Sequence, residues 1–404
     1  MDFSIRPEIQ ELRSRIESLL ESKVYPKEAE WLRWDEDHFP QCVEDQAEIR
    51  ALQEEARGMG VWAGHLPEEA GGMGLSLTDY ALLNEVIGRS HFAPRIFGSN
   101  APDSGNAEIL WHFGTPEQQE RFFWPLQRAE VRSYFGMTEP EVSGSDPTHL
   151  QTTAVSDGDH WVINGHKWFA SNANGAAFGI VMAATEPNAP AHRRYSQIIV
   201  PADTPGVRLV RPISVMGHRT GGGHWEVRYE GARVPMDLLL GKPGQGFAIA
   251  QARLGPGRIH HCMRWLGQAR RAFDIMCEYC LQRQAFGGPL AEKETVQNWI
   301  AESAAEIEAA RLLTLHAAWR IDQVGQKAAR VDIALIKFFG AKVLMDVLDR
   351  AIQVHGGLGV SDDTPLAFMW RQARSARIYD GPDEVHKMVV ARHILGQYEV
   401  LDRA

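Results

Sequence analysis

The spacing at which apolar residues recur changes twice along this chain, and that double change restricts the fold more than any single motif. Up to about residue 131 the spacing is helical, as in Leu12, Ile16, Leu19 and Leu20 and again in Leu82, Leu83, Val86 and Ile87. Short β-branched and aromatic runs then take over: Trp161 to Phe169, Gly179 to Ala184, Ser196 to Val200, Val207 to Val210 and Trp225 to Tyr229, punctuated by Gly and Pro as sheet turns are. From Gly246 the helical spacing returns in long stretches, Ile249 to Arg283, Val296 to Val324, Ala328 to Val354 and Glu384 to Leu395. The order predicts an α+β protein, mainly α, with an N-terminal helical domain (1–131), a central β domain (132–240) and a C-terminal helical bundle (241–404).

With 404 residues and 44% hydrophobic content, each domain can have its own core. A formal charge of −10 argues against nucleic acid or an anionic membrane as the main partner. An anionic ligand would need local help from arginines and helix N-termini. No apolar run reaches about 18 residues, and residues 1–20 read as an acidic amphipathic helix, so a soluble, cytoplasmic protein is expected. Cys277 and Cys280 form a CxxC spacing inside a helical pattern with no second pair, which favours packing over redox or metal chemistry. His260 and His261 are adjacent, cannot share a helix face, and are not expected to bind metal. No GxGxxG follows a strand, which argues against a Rossmann cofactor site.

Near the C-terminus, Asp380 stands between an apolar stretch and the Gly381-Pro382 turn, ahead of a helical segment. It is either a base held in a desolvated pocket or a cap for the helix starting near Asp383. Other positions carry similar pairs of readings. Thr138, Ser143 and Ser145 sit where the first helical block meets the β block, as ligand-binding hydroxyls or an ordinary polar turn. Phe169 and Ser171, two apart on a strand, would share a face and either cover a ring and donate to it or simply pack. Arg283 could neutralise a pyrophosphate or end a helix as a cation. Gly356 and Gly357 admit close backbone approach or terminate a helix.

Five segments, in order, tighten these readings: Pro67 to Ser76 (PEEAGGMGLS), Met137 to Asp146 (MTEPEVSGSD), Gly165 to Asn172 (GHKWFASN), Arg283 to Gly287 (RQAFG) and Gln353 to Gly357 (QVHGG). Together they resemble the acyl-CoA dehydrogenase family over nearly the whole chain. That resemblance implies a β-barrel-like central domain, a C-terminal four-helix bundle, and FAD lying across domains and between subunits. It implies FAD contacts at Phe135, Met137, Thr138, Ser143, Ser145, Phe169, Ser171, Pro382 and Glu384. Arg283, Phe286, Gln353, Gly356 and Gly357 would reach the cofactor of a neighbouring subunit, making a homo-oligomer, a dimer or a dimer of dimers. Ser145 and Arg258 would touch the acyl-CoA substrate.

The implied reaction is α,β-dehydrogenation of a fatty acyl-CoA to the trans-2-enoyl-CoA, as in β-oxidation. Asp380 would take the α-proton, the β-hydride would pass to flavin N5, and electrons would leave to electron-transferring flavoprotein. Asp380 stands where many members carry Glu, most like the subgroup of members ten and eleven. The alternative base position, at Gly255-Pro256-Gly257-Arg258, holds no carboxylate. Phe169 replaces a common Trp, and Glu294 a common cofactor-contacting Gln. The rival readings are a flavin oxidase or monooxygenase on the same fold, resembling nitroalkane oxidase, and a flavin-free acyl-CoA-binding protein.

Overall fold

A computed structural model describes residues 4–218 and 222–398, so the first three residues of the expected amphipathic helix lie outside the described residues. Two compact units emerge. One comprises Met1–Ala29, Leu75–Pro94 and Gly255–Ala404, the other Glu30–Gly74 and Arg95–Leu254. The helices are α1 (Pro7–Leu19), α2 (Glu28–His38), α3 (Ala47–Gly58), α4 (Leu77–Ile87), the short α5 (Ala93–Ile96), α6 (Asp103–Phe113), the short α7 (Pro116–Gln118) and α8 (Trp124–Gln127), α9 (Gly246–Gln282), α10 (Glu294–Ala328), α11 (Arg330–His355), α12 (Leu366–Arg374) and α13 (Asp383–Gly396). The strands are β1 (Ser133–Gly136), β2 (Thr153–Asp157), β3 (His160–Ser171), β4 (Phe178–Ala184), β5 (Tyr195–Pro201), β6 (Val207–Ile213), β7 (His224–Pro235), β8 (Leu239–Leu240), β9 (Gln284–Ala285) and β10 (Gly288–Pro289).

In the second unit β1 to β8 form one sheet in the order β6-β7-β3-β2-β4-β5-β8, with β1 parallel to β4. Among the described residues the expected β-barrel-like closure does not occur: β6 pairs only with β7 and β8 only with β5, so both edges stay open. The two halves of the sheet join through the parallel pair Thr153↔Ala184. β4 and β5 are buried along almost their whole length and read as continuous apolar runs, whereas β3 and β7 alternate. Gly179 allows β1 to lie against β4, because a Cβ there would sit 2.1 Å from the Tyr134 ring. Tyr134 and Tyr229 share a buried hydroxyl–hydroxyl hydrogen bond of 2.8 Å.

A fully buried ion pair fixes the start of the Met137–Asp146 segment. Lys167 Nζ lies 2.7 Å from Glu139 Oε1, with side chains 0% and 1% exposed, and also donates to the Met137 carbonyl. Glu139 accepts in addition from the amides of Gln151 and Thr152 at 2.6 and 2.9 Å. Burial pulls the Lys167 ammonium down to about 8 against the pull of Glu139. Burial pushes the Glu139 carboxyl up, but Lys167 and the hydrogen bonds outweigh it and leave it below the ordinary value.

In the first unit α9, α10 and α11 carry the core, through residues such as Met263, Leu266, Ala310, Ala317, Leu344 and Leu348, and α12 and α13 pack against α11. α4 crosses α9 at backbone contact. A Cβ on Gly88 would fall 2.3 Å from Arg264 Cα, and one on Gly267 would fall 2.1 Å from the Glu85 carbonyl. Glu85 also ties α1 and α10 to α4 by accepting from Arg13 and Arg311, each at 2.8 Å. α10 breaks at Gly325, whose φ of 78° is non-helical, close to the end expected from the spacing. Cys280 packs in the core and Cys277 flanks it, both as free thiols that burial pushes up, Cys280 to about 11.

Removing one member of a buried pair strands the other, at a cost of about 3–5 kcal/mol. Lys167→Met is therefore expected to lower stability by that amount in urea unfolding followed by tryptophan fluorescence. Adding Glu139→Gln to the same chain should return part of the loss.

Candidate active site

Asp380 sits on a loop that neighbouring helices grip by its carbonyls. Its φ is +54°, the left-handed region that Asp and Asn enter more readily than other non-glycine residues. The Asp380 carbonyl accepts from Arg258 Nε on α9 at 3.0 Å and from His386 Nε2 on α13 at 3.2 Å. Lys337, fully buried on α11, donates to the carbonyls of Ala376 and Gly381 at 2.7 and 3.2 Å. The carboxylate is 20% exposed, and its Oδ2 lies 3.3 Å from His261 Nε2. Asp380 is not the N-cap residue of α13. Pro382 is the N-cap of α13 with no side-chain cap, and Asp383 is buried against Arg377 Nε at 2.7 Å.

The neighbours of Asp380 shape its field. Burial pulls Arg258 below its ordinary value while Asp380 opposes it, and burial likewise lowers Lys337. Burial, reinforced by Arg258, takes His386 down to about 4, so it donates to the Asp380 carbonyl as a neutral ring. The Tyr379 ring lies 5.2 Å from that of His261, and its hydroxyl accepts from Trp265 Nε1 at 2.8 Å. His261, Lys337 and His386 were missed from the sequence. The signal for His261 was present: Arg258, His261 and Trp265 recur at three and four residues on α9, one helix face. His260 points elsewhere, edge-on to Tyr80 at 4.9 Å. Among the described residues no group of three His, Cys, Asp or Glu side chains is placed to hold a metal ion.

The second unit holds the segments expected to meet flavin. Ser143 and Ser145 are exposed, whereas Thr138, Phe135 and Met137 are half-buried. Arg253 lies 4.4 Å over the Phe135 ring. Phe169 and Ser171 do not follow simple strand alternation. The β3–β7 register shifts between Lys167 and Ala170, and Phe169 takes a φ of 50°, so a bulge turns the ring outward to 43% exposure. Both residues flank His224, which lies 2.8 Å from Ser171 Oγ and 5.9 Å from the Phe169 ring. Trp168 Nε1 is shielded from solvent and has no hydrogen-bond partner among the described residues. An outward-turned aromatic ring, exposed serine hydroxyls and an unused indole N–H suit a flat cofactor rich in oxygen acceptors.

The two segments expected to reach a neighbouring subunit come together at one end of the first unit. Tyr279 on α9 stacks on His355 on α11 with ring centroids 4.0 Å apart. Beyond Tyr279, Arg283 is exposed and Phe286 tops the β9–β10 hairpin at 98% exposure; Phe286 and Gly287 both have positive φ. Beyond α11, Gln353, Gly356 and Gly357 are exposed, and Gly356 also terminates the helix. Pro382 and Glu384 open α13, with Glu384 in solvent, and Glu294 is exposed in the first turn of α10.

Three domain profiles of one family match the chain: acyl-CoA dehydrogenase N-terminal domain at residues 6–130, middle domain at 134–230 and C-terminal domain at 244–395. The chain belongs to the acyl-CoA dehydrogenase family. It is similar to "Probable acyl-CoA dehydrogenase FadE2" of Mycobacterium tuberculosis, at 46% identity over 97% of this chain and 96% of that one. It is also similar to "Acyl-CoA dehydrogenase family member 11" of Rattus norvegicus, at 44% identity over 95% of this chain and 50% of that one. The chain thus spans about half the length of the member-eleven relatives it matches. A solved Mycobacterium abscessus structure, given as a candidate acyl-CoA dehydrogenase, superposes with a TM-score of 0.93 at 41% identity, covering 98% of this chain and 100% of that one.

Because His386 titrates at about 4 when folded and near 6.5 when unfolded, the unfolded chain binds the extra proton between those values. Its contribution is complete above pH 6.5 and declines as pH falls to about 4, a loss on the order of 3 kcal/mol. His386→Gln keeps a donor toward the Asp380 carbonyl without titrating. Urea midpoints measured from pH 7 to pH 4 should fall less steeply for this variant than for the parent protein.

Proposed function

We propose that this chain is an FAD-dependent dehydrogenase that converts a fatty acyl-CoA to the trans-2-enoyl-CoA, with Asp380 as the base. The observation that carries the reading is the setting of Asp380: one largely shielded carboxylate, on a backbone fixed from α9, α11 and α13, in a chain of this family. Neither the Gly255–Arg258 stretch nor its neighbours on α9 offer a competing carboxylate. The α-proton goes to the Asp380 carboxylate, and FAD, when bound, would supply the two-electron acceptor for the hydride leaving the β-carbon.

The chain's own residues have separable tasks in this proposal. Thr138, Ser143, Ser145 and Ser171 donate to the cofactor, Phe169 covers its ring, and Phe135 and Met137 wall the same segment. Pro382 and Glu384, at the start of α13, are assigned to the cofactor as well. Arg283, Phe286, Gln353, Gly356 and Gly357 complete the cofactor site of a second copy in a homo-oligomer. Arg258 steadies Asp380 through the backbone carbonyl, and it and Ser145 border the substrate. Electron-transferring flavoprotein takes the electrons in the cytoplasm. The proposed domains are 1–131, 132–240 and 241–404.

Asp380→Asn is the discriminating variant, since Asn also tolerates left-handed backbone and cannot take a proton. The FAD-loaded variant should keep its visible absorption. Its anaerobic bleaching by a straight-chain acyl-CoA should slow by roughly 10²–10⁴-fold, the usual contribution of a positioned base. Near-normal bleaching would remove Asp380 from the role.

A further inference from the structure

We propose that His261 is a positioning residue for the Asp380 carboxylate, itself fixed in one tautomer by Arg264. The inference rests on the assignment of Asp380 as the base and adds the group that aims it. Arg264 Nη2 lies 3.1 Å from His261 Nδ1. A guanidinium can only donate, so Nδ1 accepts and the ring's proton sits on Nε2, the nitrogen 3.3 Å from Asp380 Oδ2. A chain of donors therefore runs Arg264 to His261 to Asp380. Arg264 is itself buried where α9 crosses Gly88, a contact of backbone on backbone that leaves it little room to move.

The ring is held as well as bonded. It lies between Trp265 and Tyr379, with centroids 6.2 and 5.2 Å away. Because Nε2 already carries its proton, the imidazole does not relay the abstracted α-proton. It orients the carboxylate and stabilises the charged form, as a hydrogen bond to an ionised acceptor does. The other titratable groups facing this pair are Arg258 and Cys262 on α9, Lys337 on α11, and Tyr379 and His386 around the loop, with Asp383 facing Lys337. Of these, Arg258 and His386 bond the Asp380 backbone carbonyl and Lys337 bonds the Gly381 carbonyl. His261 places its Nε2 against the carboxylate oxygen itself.

Two variants separate aiming from packing. His261→Phe keeps an aromatic ring between Trp265 and Tyr379 but removes the donor. His261→Gln supplies an amide N–H near the position of Nε2 and does not titrate. In the FAD-loaded protein, the limiting rate of anaerobic bleaching by acyl-CoA at neutral pH should fall about tenfold or more in His261→Phe, the effect of losing a hydrogen bond to a charged group. The acid limb of its pH profile should move to higher pH, and His261→Gln should restore both. A second readout needs no turnover: with ¹⁵N-labelled histidine, the resonance lost in His261→Phe should show the Nε2–H tautomer in the parent protein and shift in Asp380→Asn. An unmoved acid limb in His261→Phe, failure of His261→Gln to restore it, or an Nδ1–H tautomer would overturn the proposal. If Asp380→Asn itself bleaches normally, the base assignment fails instead.

Discussion

The backbone of Asp380 is the constraint from which the candidate active site follows. A non-glycine residue at φ +54° costs on the order of 1–3 kcal/mol, and such a conformation persists only where its surroundings over-determine it. They do so here. Two side chains from different helices converge on the Asp380 carbonyl, and a buried lysine from a third bridges the carbonyls of Ala376 and Gly381. Hydrogen bonds from charged donors contribute about 1.5–3 kcal/mol each, so those of Arg258 and Lys337 suffice to offset the strain. The anchoring uses backbone oxygens, which leaves the carboxylate available for chemistry while its origin stays fixed.

The second unit reaches the same rigidity by a different route. Lys167 and Glu139, both out of solvent, bind the start of the Met137–Asp146 segment to β3, and Glu139 takes the amides of Gln151 and Thr152 on the far side of that segment. Two residues beyond Lys167 the strand bulges and turns Phe169 outward. The ion pair and the bulge are neighbours on one strand, so the exposed ring stands on a segment whose other face is clamped. A buried pair of this kind adds little net stability, because desolvation cancels most of its attraction. What it supplies is a single register for the loop.

Periodicity made the elements legible and left their exceptions hidden. The long helices α9, α10, α11 and α13 and the five main strands follow from spacing, because burying one face imposes it. β1, β2, β8 and α12 did not stand out, being short or lacking a clean alternation. Alternation also placed Phe169 and Ser171 on one face, whereas a bulge and a positive φ bring them together around His224. The strand order of the sheet was equally out of reach, since it depends on pairings such as Thr153 with Ala184 between residues far apart in sequence. At the candidate site Asp380 was visible as an isolated carboxylate at a turn. Its holders were not: Lys337 looks like any helical lysine until α11 is packed against the loop, and His261 looks like half of a histidine pair.

The exposed end of the first unit is the place where its packing is left incomplete. Burying a phenylalanine side chain is worth roughly 1.5–3 kcal/mol, yet Phe286 forgoes nearly all of it at 98% exposure. Its turn also places two successive residues at positive φ, one of them the phenylalanine itself. Val360, 69% exposed, lies just past the Gln353–Gly357 segment, and the Tyr279–His355 stack holds the two helix ends together. An apolar ring presented on a strained turn, beside a cation at Arg283 and two glycines with open space around them, is costly in an isolated chain. The cost is recovered if a second copy covers the ring, which is why these residues support the proposal that each cofactor site is finished by a neighbouring subunit.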